Sequence, residues 1–535
     1  MKKLIQLTIA AVFAALVSAC APKTAGNIAI KDAANAAPEN AELFFALDIS
    51  KKLQDDYYAQ KGAKEFSTAL LENPAMQKIF EEAAKALPEE INANVSAKAI
   101  TDFAKSAIQN PDDLFIAAAA TDLAKEDADF KFVILKHAFF TQKIKEALEQ
   151  KKFEKTQKDG FEFFKKDDFI IAFKGKTLVL ADNEKAAMQV FADLQAKAPR
   201  EKSFASNAKF AKLMSIEKSP YVVCFADCEK ASEGKAPGVL FSAARQDLQK
   251  TSGAVKIELG KKAFKFKDET SDKIWEVLAS AKLAKNTLLK NSLPDATMAT
   301  AVAFPKIDAL ESALLEEMGE TPEGAMAIAM LKSAGIKNIT ASAIYDAAAL
   351  PNIQNMELPE SFIKIEAADT DAVFKNEMVA QALNSPLFSQ MDFEGKTVYS
   401  SMYNAKIVQA GKNCAVISTL KDMAAMMALA KGKGKSLEGN ADAKALAGEL
   451  PEGNFAEFFM DGKNYLNFIK AAMPKDFGND DDKAIMKFYI SMAEMCKKSL
   501  LAAGVKLEPN EITITFKGLN EYDYELGTKL LKEIK

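Results

Sequence analysis

Residues 254–267 read AVKIELGKKAFKFK, and residues 504–517, which lie 250 positions further along, read GVKLEPNEITITFK. In both segments apolar side chains alternate with polar ones on either side of a short polar turn. Because alternation of period two places apolar side chains on one face of a strand, each segment predicts a β-hairpin. Two matching segments at one separation indicate an internal repeat.

Further matches occur in the same order along the two halves of the chain. They pair Pro38-Glu39 with Pro294-Asp295, Gly175–Leu180 with Gly411–Val416, Ser203-Phe204 with Ser436-Leu437, Asn207-Ala208 with Asn440-Ala441, and Phe225-Ala226-Asp227 with Phe459-Met460-Asp461. We therefore predict two tandem modules that repeat one another, over 38–290 and 291–535. Strands joined by tight turns and separated by helical patterns predict an α+β class, with partly antiparallel sheets covered by helices.

The composition describes a folded chain with no electrostatic preference for nucleic acid. The 535 residues are 49% hydrophobic and contain 70 basic and 74 acidic side chains, a net charge of -4. This hydrophobic fraction can form large cores, which excludes wholesale disorder. Binding of nucleic acid requires a basic face, so we expect no nucleic-acid partner.

The N-terminus has the parts of a bacterial export signal. Two lysines precede an apolar run over 4–17, which is too short for a comfortable membrane-spanning helix. The run ends in Val17-Ser18-Ala19-Cys20, which resembles the lipobox of bacterial lipoproteins. This resemblance implies a lipoprotein signal peptide over 1–19, cleavage before Cys20, and covalent lipid on the Cys20 sulfur and amino group.

Acylation would anchor the mature chain to a membrane, since two or more acyl chains give stable attachment. Small and polar residues over 20–37 predict a flexible, lipidated tether. Ala21 follows the cysteine where the resemblance to Gram-negative sorting rules would place Asp for inner-membrane retention. We therefore expect a cell-envelope protein anchored at the outer membrane, on its periplasmic or surface face.

A search for catalytic motifs favours a protein that is not an enzyme. The Ser-x-x-Lys spacing of Ser-Lys hydrolases occurs five times, close to the number that composition gives by chance, and Lys-Thr-Gly does not occur. Gly175-Lys176-Thr177, Gly395-Lys396-Thr397 and Gly434-Lys435-Ser436 lack the glycine five positions earlier that a phosphate loop needs. We expect no catalytic residue and no cofactor.

The metal-binding residue types are sparse or wrongly spaced. His137 is the one histidine, and it closes an apolar run, which is typical of a structural position. Methionines near 423–427 and 492–495 are interpreted as core residues, and Asp480-Asp481-Asp482 lacks the spacing of a calcium loop. We therefore expect no metal site. Besides Cys20, four cysteines remain, and their disulfide status stays open: Cys224, Cys228, Cys414 and Cys496.

Two functions fit these patterns best, and an enzyme that uses carboxylate chemistry without a recognisable motif stays a third alternative. The first is a non-enzymatic binding, interaction or structural lipoprotein that contacts the membrane through Cys20 and meets envelope protein partners. The alternative is a carrier of an apolar, lipid-like ligand in a cavity within or between the modules, motivated by 36 Phe and 20 Met residues. The mature part resembles uncharacterised exported bacterial proteins with duplicated α+β units, which implies no specific activity.

Overall fold

The computed structural model describes residues 30–49, 51–74, 76–78, 101, 105, 108–109, 112–122, 129–150, 153–166, 169–196, 198–231, 238–246, 249–259, 271–309, 328–329, 332–345, 358–472 and 480–534. The chain divides into two compact units. Unit 1 comprises residues up to Glu258 together with Phe477–Met495 and Tyr522–Lys535. Unit 2 comprises Leu259–Asp476 and Cys496–Glu521.

Helices occur throughout the described chain. They are α1 (Ile30–Ala36), α2 (Lys51–Tyr58), α3 (Ala63–Glu72), α4 (Ala138–Gln150), α5 (Glu184–Leu194), α6 (Ala208–Ser215), α7 (Cys228–Ala231), α8 (Ser271–Ser280), α9 (Thr287–Asn291), α10 (Asp371–Phe374), α11 (Glu377–Leu383), α12 (Met423–Ala430), α13 (Ala441–Gly448), α14 (Gly462–Ala472), α15 (Asp480–Met495) and α16 (Tyr524–Glu533). Short 3₁₀ turns lie at Phe204–Ser206, Ile307–Ala309 and Leu437–Gly439. No helix of the described residues is long and apolar enough to cross a membrane.

The sheet of unit 1 is antiparallel at every pair whose register is defined. Its strands are β1 (Leu43–Ile49), β2 (Leu114–Thr121), β3 (Asp129–Lys136), β4 (Glu154–Lys158), β5 (Phe161–Lys166), β6 (Phe169–Lys174), β7 (Thr177–Ala181), β8 (Val222–Asp227), β9 (Val239–Gln246) and β10 (Lys250–Glu258). Neighbouring strands follow the order β4, β5, β6, β7, β3, β2, β1, β8, β9, β10.

The strands of unit 2 are also antiparallel where their register is defined. They are β11 (Met298–Ala303), β12 (Ile336–Ala343), β13 (Ser361–Ala367), β14 (Phe388–Phe393), β15 (Lys396–Ser401), β16 (Lys406–Gly411), β17 (Cys414–Ser418), β18 (Ala456–Asp461), β19 (Cys496–Glu508) and β20 (Glu511–Tyr522). Their order is β14, β15, β16, β17, β13, β12, β11, β18, β19, β20, which repeats the order of unit 1 strand for strand. The predicted mixed α+β class is observed.

Two of the five further sequence matches lie on strands, those at β7 with β17 and at β8 with β18, and the other three lie at turns and helix starts. Gly175–Leu180 and Gly411–Val416 lead into and form β7 and β17, which hold the same place in the strand order. The predicted hairpin over 504–517 is confirmed, because β19 and β20 flank a turn at Pro509 and Asn510. Its partner at residues 254–258 lies on β10, however, which corresponds in order to β20, and residues 260–267 lie outside the described chain. The match at 250 positions therefore joins strands that are not equivalent.

Helices cover both faces of the sheet in unit 1. On one face Phe191 of α5 and Ala172 of β6 belong to one large apolar core. On the other face Leu148 of α4 packs with Phe164 and Phe173 of β5 and β6. Alternate residues of β6 thus enter different cores, as the period of a strand requires.

The predicted helix over 184–194 forms as expected. Asn183 caps α5 by accepting a hydrogen bond from the backbone N–H of Ala186, and buried side chains recur at helical spacing. In unit 2, Asp422 caps α12 in the same way. Met426 and Met427 of α12 are fully buried in the unit 2 core, so the interpretation of this methionine group as core residues is confirmed.

The tether predicted over 20–37 is wrong for its second part. Residues 30–36 form α1, and Ala33 and Ala34 are completely buried in the core of unit 1. The Asn35 amide donates to the Asp193 carbonyl at 2.9 Å, which fixes α1 against the end of α5. Small alanine side chains, which we interpreted as flexible, here permit close packing. Residues 1–29, over which the signal peptide and the lipidated Cys20 are predicted, lie outside the described residues.

The compact units differ from the predicted modules of 38–290 and 291–535. Unit 1 ends its first segment at Glu258 and includes two segments from near the C-terminus. Tyr57 and Phe66 of α2 and α3 share an apolar cluster with Met495 and Tyr524 of α15 and α16. A side chain at Gly527 would lie 2.9 Å from the Phe66 ring, so glycine lets α16 approach α3 closely. This packing is why the C-terminal helices belong to unit 1.

Candidate functional site

Four large apolar side chains are exposed around the β14–β15 hairpin of unit 2. Leu387 is 63% exposed, Met391 45%, Met402 72% and Tyr403 50%. We call these four residues the apolar edge. In the antiparallel register Phe388 lies opposite Ser401, so Leu387 and Met402, the next residue on each side, lie at the same end of the hairpin. The register therefore brings residues from both strands to one surface.

Local hydrogen bonds hold the turn that carries Met402 and Tyr403. The Ser401 hydroxyl accepts from the backbone N–H groups of Tyr403 at 3.3 Å and Ala405 at 3.1 Å. Asn404 adopts a left-handed conformation with a φ of 61°, a conformation that asparagine tolerates better than most residues. The turn is thus defined by its own polar groups, and the two apolar side chains remain in solvent.

The sequence around the apolar edge carries no charge. Residues 378–391 and 397–405 contain no Asp, Glu, Lys or Arg, although 27% of the whole chain is charged. Charged residues are usually depleted at the centre of protein interfaces, where aromatic residues and methionine are enriched. The composition of this surface therefore resembles that of the centres of protein interfaces.

The corresponding edge of unit 1 is polar. All five side chains of β4, which reads EKTQK, are exposed. Lys155 forms ion pairs with Glu149 at 2.7 Å and with Glu162 at 3.1 Å, and Lys145 also pairs with Glu162. Lysine side chains on an edge strand oppose pairing with another chain. The two units thus present different surfaces at the same place in the strand order.

His137 is buried, as expected for a structural residue. It is 1% exposed, and its ring stacks on Phe140 with centroids 4.1 Å apart. Burial lowers the pKa of His137 from its ordinary value to about 4. The nearby Asp112 acts to raise this pKa, and Lys176 acts to lower it. The neighbouring Asp112 carboxylate accepts from Lys176 and from the backbone N–H of Ala138, each at 3.0 Å. These contacts fix the start of α4 and leave the imidazole neutral.

A buried lysine in unit 2 was missed by the sequence analysis. The Lys364 ammonium group donates to the Asn291 side chain at 2.9 Å and pairs with Glu366 at 2.8 Å. Burial acts to raise the pKa of Glu366, but hydrogen bonds from Lys364 and Asn338 outweigh it, so the pKa lies below its ordinary value. The signal was a charged pair at alternate positions of an apolar strand, SFIKIEA.

The four cysteines outside the N-terminus are free thiols. Burial raises the pKa of Cys224 to about 11, and burial also raises the pKa of Cys228, Cys414 and Cys496. A thiol with a raised pKa is a poor nucleophile at neutral pH. These residues therefore do not form a reactive site in this state.

One Ser-x-x-Lys pair, Ser361 and Lys364, has separate partners in the described structure. Lys364 contacts Asn291 and Glu366, whereas Ser361 of the same Ser-x-x-Lys pair contacts Thr419. Lys176 and Lys396 lie at the β6–β7 and β14–β15 turns. Among the described residues no group of three or more His, Cys, Asp or Glu side chains could hold a metal ion.

Three depressions on the surface are open to solvent and have charged side chains in their walls. A depression of about 750 Å³ in unit 2 includes Asp295, Lys435, Glu438 and Lys444 in its wall. Two others, of about 530 Å³ and about 450 Å³, are also bordered by lysine and glutamate. None of these three depressions is an apolar enclosure of the kind that a lipid-like ligand would need.

Comparison with known proteins identifies no family. No family model and no curated protein matches the chain. Crystal form III of TP0453 is similar at 10% identity and a TM-score of 0.24, covering 46% of this chain and 97% of that one. Crystal form IV of TP0453 gives 11% identity and a TM-score of 0.25, with 48% and 97% covered. TM-scores of this size carry no argument about fold or function.

Proposed function

We propose that the protein is a lipid-anchored lipoprotein of the bacterial cell envelope that acts by binding other proteins and not by catalysis. The observation that carries this proposal is the apolar edge of unit 2, where Leu387, Met391, Met402 and Tyr403 are exposed within uncharged sequence. Lipid at Cys20 would hold the chain at the outer membrane, following the resemblance of residues 17–20 to a lipobox.

We further propose that the two units descend from one duplicated unit of ten strands. The shared strand order supports this proposal, as do the sequence matches at β7 with β17 and at β8 with β18. After duplication, one copy would have kept a charged edge at β4 while the other acquired the apolar edge. This divergence would give unit 2 the binding role.

The test is site-specific photo-crosslinking of the full chain in a bacterial host that processes lipoproteins. A photoreactive amino acid at Met402 should give a discrete adduct with another envelope protein, whereas the same group at Thr156 on β4 should not. Equal labelling, or none, at both positions would contradict a binding role for the apolar edge.

The anchor needs a separate readout. Metabolic labelling with a radioactive fatty acid should mark the wild-type chain and be lost in Cys20→Ser. Native mass spectrometry of the Cys20→Ser protein then checks the carrier alternative, because a bound adduct of lipid mass would favour a carrier over an interaction protein.

A further inference from the structure

Strand β14 has one neighbour among the described strands. It pairs with β15, and no other strand of the described residues pairs with its second edge. Glu394 and Gly395 form the connecting turn, with φ values of 52° and 71°, as in a two-residue type I′ turn. Phe393 and Lys396 then form the pair that closes the turn. Because hydrogen-bonded pairs alternate along antiparallel strands, the backbone groups of Phe388, Gln390 and Asp392 point away from β15.

We propose that β14 pairs with β14 of a second copy of this chain, antiparallel and with Met391 opposite Met391. A two-fold axis perpendicular to the sheet relates the two strands. Side chains on one face of the first strand therefore lie beside side chains on the same face of the second. In this register Gln390 lies opposite Asp392 and Ser389 lies opposite Phe393. Leu387 lies beside Gly395 of the second copy, where no protein atom is within 4 Å of an added Cβ.

The two faces of this pairing are chemically complementary. One face carries Leu387, Ser389, Met391 and Phe393, of which Leu387 and Met391 are exposed and Phe393 packs partly against the core of unit 2. On the opposite face the Gln390 amide can donate to the Asp392 carboxylate of the second copy. Asp392 is the one formal charge of β14, so no like charges face one another in this register.

The observations favour a second copy over an unrelated peptide, because another β14 supplies an antiparallel strand whose Gln390 and Asp392 complement those of the first. The exposed backbone groups call for an extended partner, and the uncharged residues 378–391 allow two identical surfaces to approach. Stable dimers usually bury about 800 Å² on each partner. The edge of β14 has six residues, and of the four exposed apolar side chains Met391 lies on it and Leu387 directly precedes it. This surface is smaller than that of a stable dimer, so the association should be weak and concentration-dependent.

This inference deepens the proposed function and rests on it, since Leu387 and Met391 belong to the apolar edge, and a disulfide between two copies detects self-pairing whether or not another protein also binds. Met391→Cys in the Cys20→Ser chain is the main test, because Cα atoms of a non-hydrogen-bonded antiparallel pair lie about 4.5 Å apart, within reach of a disulfide. Under mild oxidation this variant should form a reducible dimer at least about tenfold faster than Thr156→Cys on β4, the matched control. Equal rates in the two variants would overturn the proposal.

The register has its own test by sedimentation. Gln390→Lys places opposite charges across the axis and should lower the dimer dissociation constant several-fold, whereas Gln390→Glu faces Asp392 and should raise it. Circular dichroism checks that both variants are folded. Identical dissociation constants for the two variants, or a monomer for the wild-type chain up to about millimolar concentration, would contradict the pairing.

Discussion

The β4–β5 hairpin of unit 1 and the β14–β15 hairpin of unit 2 occupy the same place in two identical strand orders, yet their surfaces differ. Both turn through a pair of left-handed residues, Asp159-Gly160 and Glu394-Gly395. β4 exposes charged side chains, and its Lys155 forms an ion pair with Glu149. The apolar edge instead exposes methionine, leucine and tyrosine side chains. A shared backbone topology therefore does not determine what a sheet edge can bind.

The difference extends to the helix beside each hairpin. In unit 1, α4 is 13 residues long and buries Phe140 and Leu148 against the sheet. In unit 2 the corresponding segment forms two short helices, α10 and α11, in which Leu383 is the buried residue. The two short helices bury fewer apolar side chains than α4 does, so they cover less of the hairpin, and unit 2 is the better candidate for binding.

The largest expected effect tests the packing under α4. Phe164 is fully buried and meets Phe173 in an edge-to-face contact with centroids 5.4 Å apart. Phe164→Ala should lower the free energy of unfolding by about 3–5 kcal/mol, because it leaves a cavity. Tyr399→Ala, at the corresponding position of β15, should cost less than about 1.5 kcal/mol, since Tyr399 is half-buried. Urea denaturation measures both, and equal losses would remove the distinction between the hairpins.

The second prediction concerns acid. The pKa of His137 is about 4 in the folded chain and lies near 6.5 when unfolded, so the unfolded state binds the proton first. Stability contributed by the neutral imidazole is complete above about pH 6.5 and is lost as the pH falls toward 4, by up to about 3 kcal/mol.

Unit 1 should therefore lose stability before unit 2, which contains no histidine. Denaturation curves at pH 7 and pH 4.5 measure the loss, and His137→Gln should remove its pH dependence in this window. A His137→Gln chain with the wild-type pH profile would show that other groups control acid sensitivity.

A third, smaller effect is expected at the buried ion pair. Lys364 pairs with Val416 in the β13–β17 register, and Val133 holds the matching position beside Leu180 in unit 1. Lys364→Val should cost about 1–3 kcal/mol, because it leaves the Glu366 carboxylate without its cation.

Adding Glu366→Leu copies the unit 1 residue Leu135 and should recover most of this loss. Thermal or urea denaturation of the single and double variants measures the recovery. If the double variant is as unstable as Lys364→Val, the ion pair has a role that an apolar pair cannot replace.

The smallest effect on folding is expected at the apolar edge itself. Met391→Lys gives β14 a charge of the kind that β4 already carries, and Met391 is 45% exposed. The free energy of unfolding should change by less than about 0.5 kcal/mol, whereas self-association should be lost. Sedimentation and urea denaturation of the same sample separate the two effects, and a large loss of stability would mean that Met391 serves the fold.

Local patterns predicted the elements well where neighbouring residues decide them. Asn183 and the apolar stripe of α5 predicted that helix, and alternation predicted the hairpin of β19 and β20. The prediction failed for residues 30–37. An alanine-rich segment is compatible with both a flexible tether and a closely packed helix, and only its packing in the folded chain distinguishes the two. Lys364 and its partners were also missed, since Asn291 lies 73 residues away in sequence.

The sequence by itself determined the mixed α+β class and the hairpin of β19 and β20, because strand alternation and turn residues act over a few positions. Tertiary structure decided that the C-terminal helices join unit 1, through Met495 and Tyr524 packing with Tyr57 and Phe66. It also decided which methionines are core and which are surface. Met426 and Met391 are the same residue type, and only the packing of α12 against the sheet separates the buried side chain from the exposed one.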